Sequence, residues 1–521
     1  MKGIISAAEA AALVRDGQTL ATTGFLGFCV PEDILDHLEQ RCVETGHPKD
    51  LTVFHAAGIG GDGVRRGANH WGTPGLVKKL LCANTSATPK AAKAIADERF
   101  AAFMAPQGVL SHMMRAIAAG EPGVLTHVGL GTFCDPRLDG CRMNQKAWDS
   151  GEEVVELLKI RGEDCLLYHT FPIDVCLIKA TSADEGGNIS WEHEALHIEQ
   201  YEMAAATRNS GGTVIVQVDR IVQRGSLRAS QVIIPATMVD YVVVGAPENS
   251  RQHYMSGLPD YVAAWTGEVK IPLDSLPPIP LDLRKVCGRR GVMELERGDL
   301  VNLGIGMPDT VASVANEEEV FDRFDLTIES GAIGGVPAAG MATGAAYNAE
   351  AILKQPDFFD FYDGGGIDVA YLGLAQADRR GNVNVSRFAG RVTGPGGFID
   401  ITQNAKKVCF MGSFTAGKTE LRVGDGKLDI VTDSDGVKFV EQVEHVTFSA
   451  DYAMKHGHTV LYITERAVFR LTPGGVMLTE IAPGVDPEKD ILGKMAFRPL
   501  IAEDLKEMDP RIFTEGKMGL K

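Results

Sequence analysis

The segment IDVCLIKATSADEGGNI, which begins at Ile173, returns as IDVAYLGLAQADRRGNV at Ile367. At this constant offset of 194 positions, isoleucine, aspartate, valine, alanine, aspartate, glycine and asparagine coincide. A second correspondence joins VRDGQTLATTGFLGFCVPEDI, around Gly17, to LERGDLVNLGIGMPDTV, around Gly298. Its offset runs from 282 (Arg15 to Arg297) to 277 (Pro31 to Pro308). Two matches in the same order describe one unit copied in tandem, with about 83 extra residues between the matches in the first copy. A chain of 521 residues exceeds what a single core serves, and the duplication accounts for it as two related domains.

The stretch IPLDSLPPIPL carries Pro272, Pro277, Pro278 and Pro280. Proline supplies no N–H to a ladder or helix, so this reads as an extended linker. The domains are then expected at 1–270 and 285–521, with a linker over 271–284. Within each copy, β-branched runs (213–218, 240–246, 458–464) alternate with Ala- and Leu-rich stretches such as 87–104 and 193–208, which read as helical. That alternation predicts an α/β protein: two tandem open α/β domains with mostly parallel sheets covered by helices. In such sheets ligands gather beyond the carboxyl ends of the strands.

The net charge of −18, from 51 basic and 69 acidic residues, argues against nonspecific binding to nucleic acid or to an anionic membrane. No apolar run approaches the roughly 18 residues of a membrane span, and the N-terminal stretch, interrupted by Glu9 and Arg15, does not read as a cleaved signal. Nine scattered cysteines without a C-x-x-C are expected to be free thiols in a reducing, cytoplasmic setting.

Five motifs compete for a chemical role. GIGGDG (58–63) satisfies a dinucleotide fingerprint but lacks a following helix and an acidic residue about 20 positions on. HEALH (193–197) satisfies the zincin pattern, with Glu194 as base, yet Trp191, His193, Leu196, His197 and Met203 read equally as a packing stripe. PQGVLSHMMRAIAAG (106–120) is either a helix beginning near Ser111 or a means of placing the Gln107 amide beside a ligand carbonyl. VTGPGGFIDIT (392–402) offers Gly394, Gly396 and Gly397 as a tight turn or as N–H donors to an anion. LTIESGAIGGVP (326–337) sends an apolar strand into Glu329, and the small residues Ser330, Gly331 and Ala332 leave room for an incoming group, as a nucleophilic carboxylate requires.

Together these segments resemble the family I CoA-transferases. ESGAIGG (329–335) is similar to that family's E-x-G-x-x-G signature, NLGIGMP (302–308) to the opening of its second subunit, and TGFLGFCVPE (23–32) to the first-subunit counterpart. PQGVLSH, HVGLGTFCDPRLDG, FDFYDGGGID, GPGGFIDIT, LYITERAVF and EIAPGVD follow in the family's order. The resemblance is strongest to the single-chain propionate and acetate CoA-transferases. Ser330 stands where the 3-oxoacid enzymes have Asn, which counts against a preference for acetoacetate and succinate.

The resemblance implies reversible CoA transfer between a short-chain acyl-CoA and a free carboxylate. Glu329 would be the nucleophile and covalent carrier of CoA, and the Gln107 amide and the Gly394, Gly396 and Gly397 loop the oxyanion donors. No metal and no permanently bound cofactor would take part, and the chain would associate as a dimer or tetramer. An acyl-CoA hydrolase is the nearest alternative; a nonenzymatic ligand sensor and a zinc peptidase are more distant ones.

Overall fold

The computed structural model describes residues 3–61, 63–272, 278–338 and 340–520. Residues 273–277 of the proline-rich stretch expected as a linker lie outside them.

The first half is built on β1 (Gly3–Ile5), β2 (Thr19–Thr22), β3 (Leu51–Phe54), β4 (Val77–Cys82), β5 (Ala101–Met104), β6 (Val175–Lys179), β7 (Thr213–Val218) and β8 (Tyr241–Val244). They form one sheet in the order β1-β8-β7-β6-β2-β3-β4-β5, and every neighbouring pair is parallel. A parallel sheet is covered on both faces, which is why VCLIK in β6 is buried at every position.

The second half uses β9 (Leu300–Leu303), β10 (Asp325–Thr327), β11 (Ala332–Ile333), β12 (Ala351–Ile352), β13 (Val369–Gly373), β14 (Lys407–Met411), β15 (Thr459–Ile463), β16 (Ala467–Thr472), β17 (Gly475–Ile481) and β18 (Leu500–Glu507). Their order is β12-β11-β10-β9-β13-β14-β15-β16-β17-β18. The central run β10-β9-β13-β14-β15 is parallel and repeats β3-β2-β6-β7-β8 strand for strand. The extra sequence of the first copy, between β2 and β6, includes β4, β5 and a small antiparallel sheet over residues 123–169.

The repeated motif itself has a structural task. In the second copy Asp378 Oδ1 accepts the N–H groups of Arg380, Gly381 and Asn382, and in the first Asp184 Oδ1 accepts those of Gly186 and Asn188. Each aspartate also takes the side-chain amide of its asparagine, at 3.0 Å in the first copy and 3.1 Å in the second. Both copies use a buried carboxylate to fold the loop leaving the sheet.

Two expected helices are shorter than the composition suggests. Residues 87–104 divide into α1 (Pro89–Ala96) and strand β5, because Ala101–Met104 enters the sheet edge beside β4. Of 193–208 only α3 (Gln200–Asn209) is helical. By contrast α2 (Gln107–Ala119) starts a full turn before Ser111: its buried face already includes Val109 and Leu110, and Pro106 precedes its first turn. Two helices of the second half, α4 (Gln355–Asp363) and α5 (Phe398–Asn404), pack against α2.

The halves meet along backbone. Gln107 N–H donates to Gly396 O at 3.0 Å, Gly396 N–H to Ala83 O at 2.9 Å, and Gln355 N–H to His197 O at 2.8 Å. An apolar cluster joins Phe25, Phe28 and Trp265 to Ala338, Ala342 and Ala345. The nine cysteines are unpaired, and among the described residues no helix is long and apolar enough to cross a membrane.

Candidate active site

Glu329 stands at the tip of a tight turn. β10 ends at Thr327, the Gly331 N–H returns to Ile328 O at 2.8 Å, and β11 leaves antiparallel. Gly331 holds φ of +111°, and a Cβ there would come within 2.1 Å of Leu353 O, so only glycine closes this turn. Ser330 points the other way, donating to Gly344 O at 2.6 Å from a fully buried position. The alternation turns Ser330 into an anchor and leaves Glu329 facing a cavity.

That cavity has a volume of about 320 Å³ and is walled by both halves: Phe25, Leu26, Gly58, Asn84 and Gln107 from the first, Ile305, Ile328 and Leu372 from the second. Its floor is the loop Thr393–Gly397. Gly394 has φ of +81° and approaches Ala83 O so closely that a Cβ would sit 2.4 Å away, which brings the loop against the first half. A Cβ on Gly397 would lie 2.8 Å from Glu329 Oε2. The N–H groups of Gly394, Gly396 and Phe398 are bonded to Ser386, Ala83 and Pro395. Among the described residues, the Gly397 N–H has no acceptor.

Burial pushes the Glu329 carboxyl up to about 7, and a hydrogen bond from the Gln107 side chain opposes that rise. Among the described residues, no lysine, arginine or histidine lines the cavity. A carboxylate in this place is poorly solvated and unpaired, which raises its reactivity toward an electrophilic carbon.

The coenzyme A transferase family model matches residues 4–245. Over 525 residues the chain is 45% identical to caffeate CoA-transferase of Acetobacterium woodii, covering 100% of this chain and 99% of that protein. The chain belongs to the CoA-transferase family. It is 38% identical over 517 residues to acetate CoA-transferase YdiF of Escherichia coli O157:H7, covering 99% of this chain and 96% of that one. The crystal structure of that bacterium's acyl-CoA transferase in a thioester complex with CoA superposes with a TM-score of 0.94 at 37% identity, over 100% of this chain and 97% of the other. This CoA-transferase moves CoA between an acyl-CoA and a free carboxylate.

The transferase structure brings Glu329, Gln107, Gly394, Gly396 and Gly397 together around one cavity. The competing motifs have other tasks. HEALH is not helical: Glu194 is buried against Lys179 Nζ at 2.8 Å, and His197 stacks on Trp191 with centroids 4.0 Å apart. Burial lowers His197 to about 4. In GIGGDG, Gly58 lines the cavity wall and Ile59 forms a bridge to Leu26, with a short helical turn at Gly67–Gly72 beyond. The one metal-compatible cluster among the described residues, Glu32, Asp36 and His70, is an ion-pair knot. Burial alone would lower His70, yet its bonds to Glu32 and Glu39 raise it to about 9.

Sequence reasoning missed Gln355 and Glu199, which sit behind Gln107. Gln355 Oε1 accepts from Gln107 Nε2 at 3.4 Å, and Glu199 Oε1 accepts from Gln355 Nε2 at 2.5 Å. Gln355 is 248 positions from Gln107, and no local pattern relates them.

Proposed function

We propose that CoA passes through a covalent thioester on Glu329, and that the acids exchanged are apolar monocarboxylates of short chain. The observation that carries this is the placement of one partly buried carboxylate beside the Gln107 side chain and against the backbone of Gly397, in a cavity that neither half closes alone.

In the forward direction a Glu329 oxygen attacks the thioester carbonyl of the acyl-CoA. The C–S bond breaks, CoA thiolate leaves, and an acyl-glutamyl anhydride forms. The thiolate then attacks the glutamyl carbonyl, the anhydride C–O bond breaks, and the first acid departs as its carboxylate. A second carboxylate reverses both steps and leaves with the CoA. Each attack creates an oxyanion, for which Gln107 Nε2 and the Gly397 N–H are the donors; one such donor is worth about 10²–10³-fold in rate.

The substrate class follows from the lining. With no cationic side chain among the described residues of the wall, a second carboxylate on the substrate would be desolvated without a partner, so dicarboxylates are disfavoured. Phe25, Leu26, Ile305 and Ile328 favour an apolar acyl group. The full-length identity to the caffeate enzyme, together with Phe25 on this wall, supports an aromatic propenoic acid as a second reading.

Two sheets spanning Gly3–Val244 and Leu300–Glu507 support domain boundaries at 1–270 and 285–521 with the linker over 271–284. Nine unpaired thiols support a cytoplasmic location. Association as a dimer or tetramer is part of the same reading and is checked by light scattering.

The test incubates enzyme with acetyl-CoA alone and follows it by mass spectrometry, expecting CoA on the peptide bearing Glu329 and loss of the adduct on borohydride treatment. Acetate, propionate, cinnamate and succinate are then offered as acceptors, with succinate expected to be slowest. Free acid released at the full rate without any acceptor would identify a hydrolase instead.

A further inference from the structure

Behind Gln107 lies a buried polar chain that crosses from one half to the other and back. Glu199, just before α3, is 2% exposed, Gln355 at the start of α4 is fully buried, and Gln107 at the start of α2 is 2% exposed. The Glu199 Oε1 atom receives two donors, Ser111 Oγ at 2.5 Å and Gln355 Nε2 at 2.5 Å. Ser111 lies one turn beyond Gln107 on α2. The Gln355 backbone is itself held by the first half, through its N–H to His197 O at 2.8 Å.

An amide side chain has two faces of opposite hydrogen-bonding sense, and nothing in its shape decides which one meets a neighbour. Here the decision propagates. Glu199 Oε1 already accepts from Ser111, so it meets Gln355 as an acceptor and draws the Gln355 NH₂ group toward itself. Protonation of the other oxygen would leave that polarity unchanged. The Gln355 carbonyl is thereby turned toward Gln107, and a carbonyl can only accept, so Gln107 must answer with its own NH₂ group. The second hydrogen of that NH₂ is the one available to Glu329 and to a developing oxyanion. In the reverse sense, Gln107 would present its carbonyl oxygen to a carboxylate and to an oxyanion, opposing both.

We propose that Glu199 is a positioning residue for CoA transfer: through Gln355 it sets which face of the Gln107 amide the reacting atoms meet. This rests on the oxyanion role assigned above to Gln107. The burial of all three side chains in one water-poor chain makes a wrong orientation costly, because each misplaced carbonyl would face another acceptor.

The experiment is a double-mutant cycle read by single-turnover formation of the CoA adduct on the full-length enzyme. Glu199→Gln keeps the shape but allows either polarity, and is expected to slow adduct formation by roughly 10- to 100-fold with KM for acyl-CoA within about twofold, part of the value of an oxyanion donor. Gln355→Met, which interrupts the chain without touching a charge, is expected to do the same and serves if Glu199→Gln fails to fold. In a Gln107→Met background, either change should alter the rate by less than about twofold, since the amide they orient is gone. An equal loss in both backgrounds would show a merely structural role and overturn the proposal, as would full activity in both single variants. A Gln107→Met enzyme as fast as the wild type would sink the role of Gln107 itself, a separate failure that removes the proposal with it.

Discussion

Gly397 and Glu329, 68 positions apart in sequence, touch: a methyl group on the glycine would come within 2.8 Å of the Glu329 Oε2 atom. The Gly397 backbone has φ of −82°, which any residue adopts. Its smallness therefore serves the carboxylate and not the turn. Gly397→Ala is expected to fold with an unchanged melting temperature while losing at least about 10²-fold in kcat/KM, because the methyl crowds the attacking oxygen and pushes it out of line. A steady-state assay beside a thermal melt checks this; a destabilised but kinetically normal variant would refute it.

Glu329 acts as a carboxylate, and burial raises it to about 7. The kcat/KM for acyl-CoA, which reports the free enzyme, should fall about tenfold per pH unit below that value and level off above it. A profile flat from pH 5 to 8 would contradict the assignment.

The same burial costs stability. Because the folded-state value lies above the ordinary 4.5, the folded protein holds this proton more tightly than the unfolded chain does. Stability thus declines as pH rises from about 4.5 to about 7, by up to about 3 kcal/mol for a shift of this size. Glu329→Gln removes the charge, so it is expected to be inactive yet more stable than wild type at pH 8, with the difference fading at pH 5. Chemical denaturation at the two pH values measures it.

Shortening the nucleophile should be nearly as damaging as removing it. Glu329→Ala is expected to abolish CoA exchange and Glu329→Asp to reduce it by about 10³-fold or more, since a retreat of one methylene takes the oxygen out of attacking distance. Exchange between labelled acetate and acetyl-CoA gives the readout, and wild-type rates in Glu329→Ala would end the covalent reading.

The repeated aspartates should behave oppositely. Asp378→Ala removes the acceptor of three backbone N–H groups inside a buried loop, and is expected to cost about 3 kcal/mol of stability while turnover per folded molecule stays unchanged. Asp184→Ala is its counterpart in the first copy. Thermal melts paired with active-site titration separate the two effects.

Much of this was legible in the chain itself. The repeat at 173 and 367 announced two related units, and the alternation of β-branched and Ala-rich segments announced their parallel sheets, because strand and helix periodicities are local properties of side chains. The stretch around Glu329 was legible too, since a strand, a carboxylate and a glycine turn are adjacent residues. Where local composition misled, as at 87–104 and at HEALH, the winner was tertiary: a free edge beside β4 drew Ala101–Met104 into the sheet, and a buried lysine claimed Glu194. Only the assembled halves decided that Gln107, Gly397 and Glu329 face one cavity, that the Gly397 N–H is the loop donor left over, and that Gln355 and Glu199 stand behind Gln107. These are relations across tens to hundreds of residues, fixed by how two sheets and four helices pack, and no stretch of sequence carries them alone.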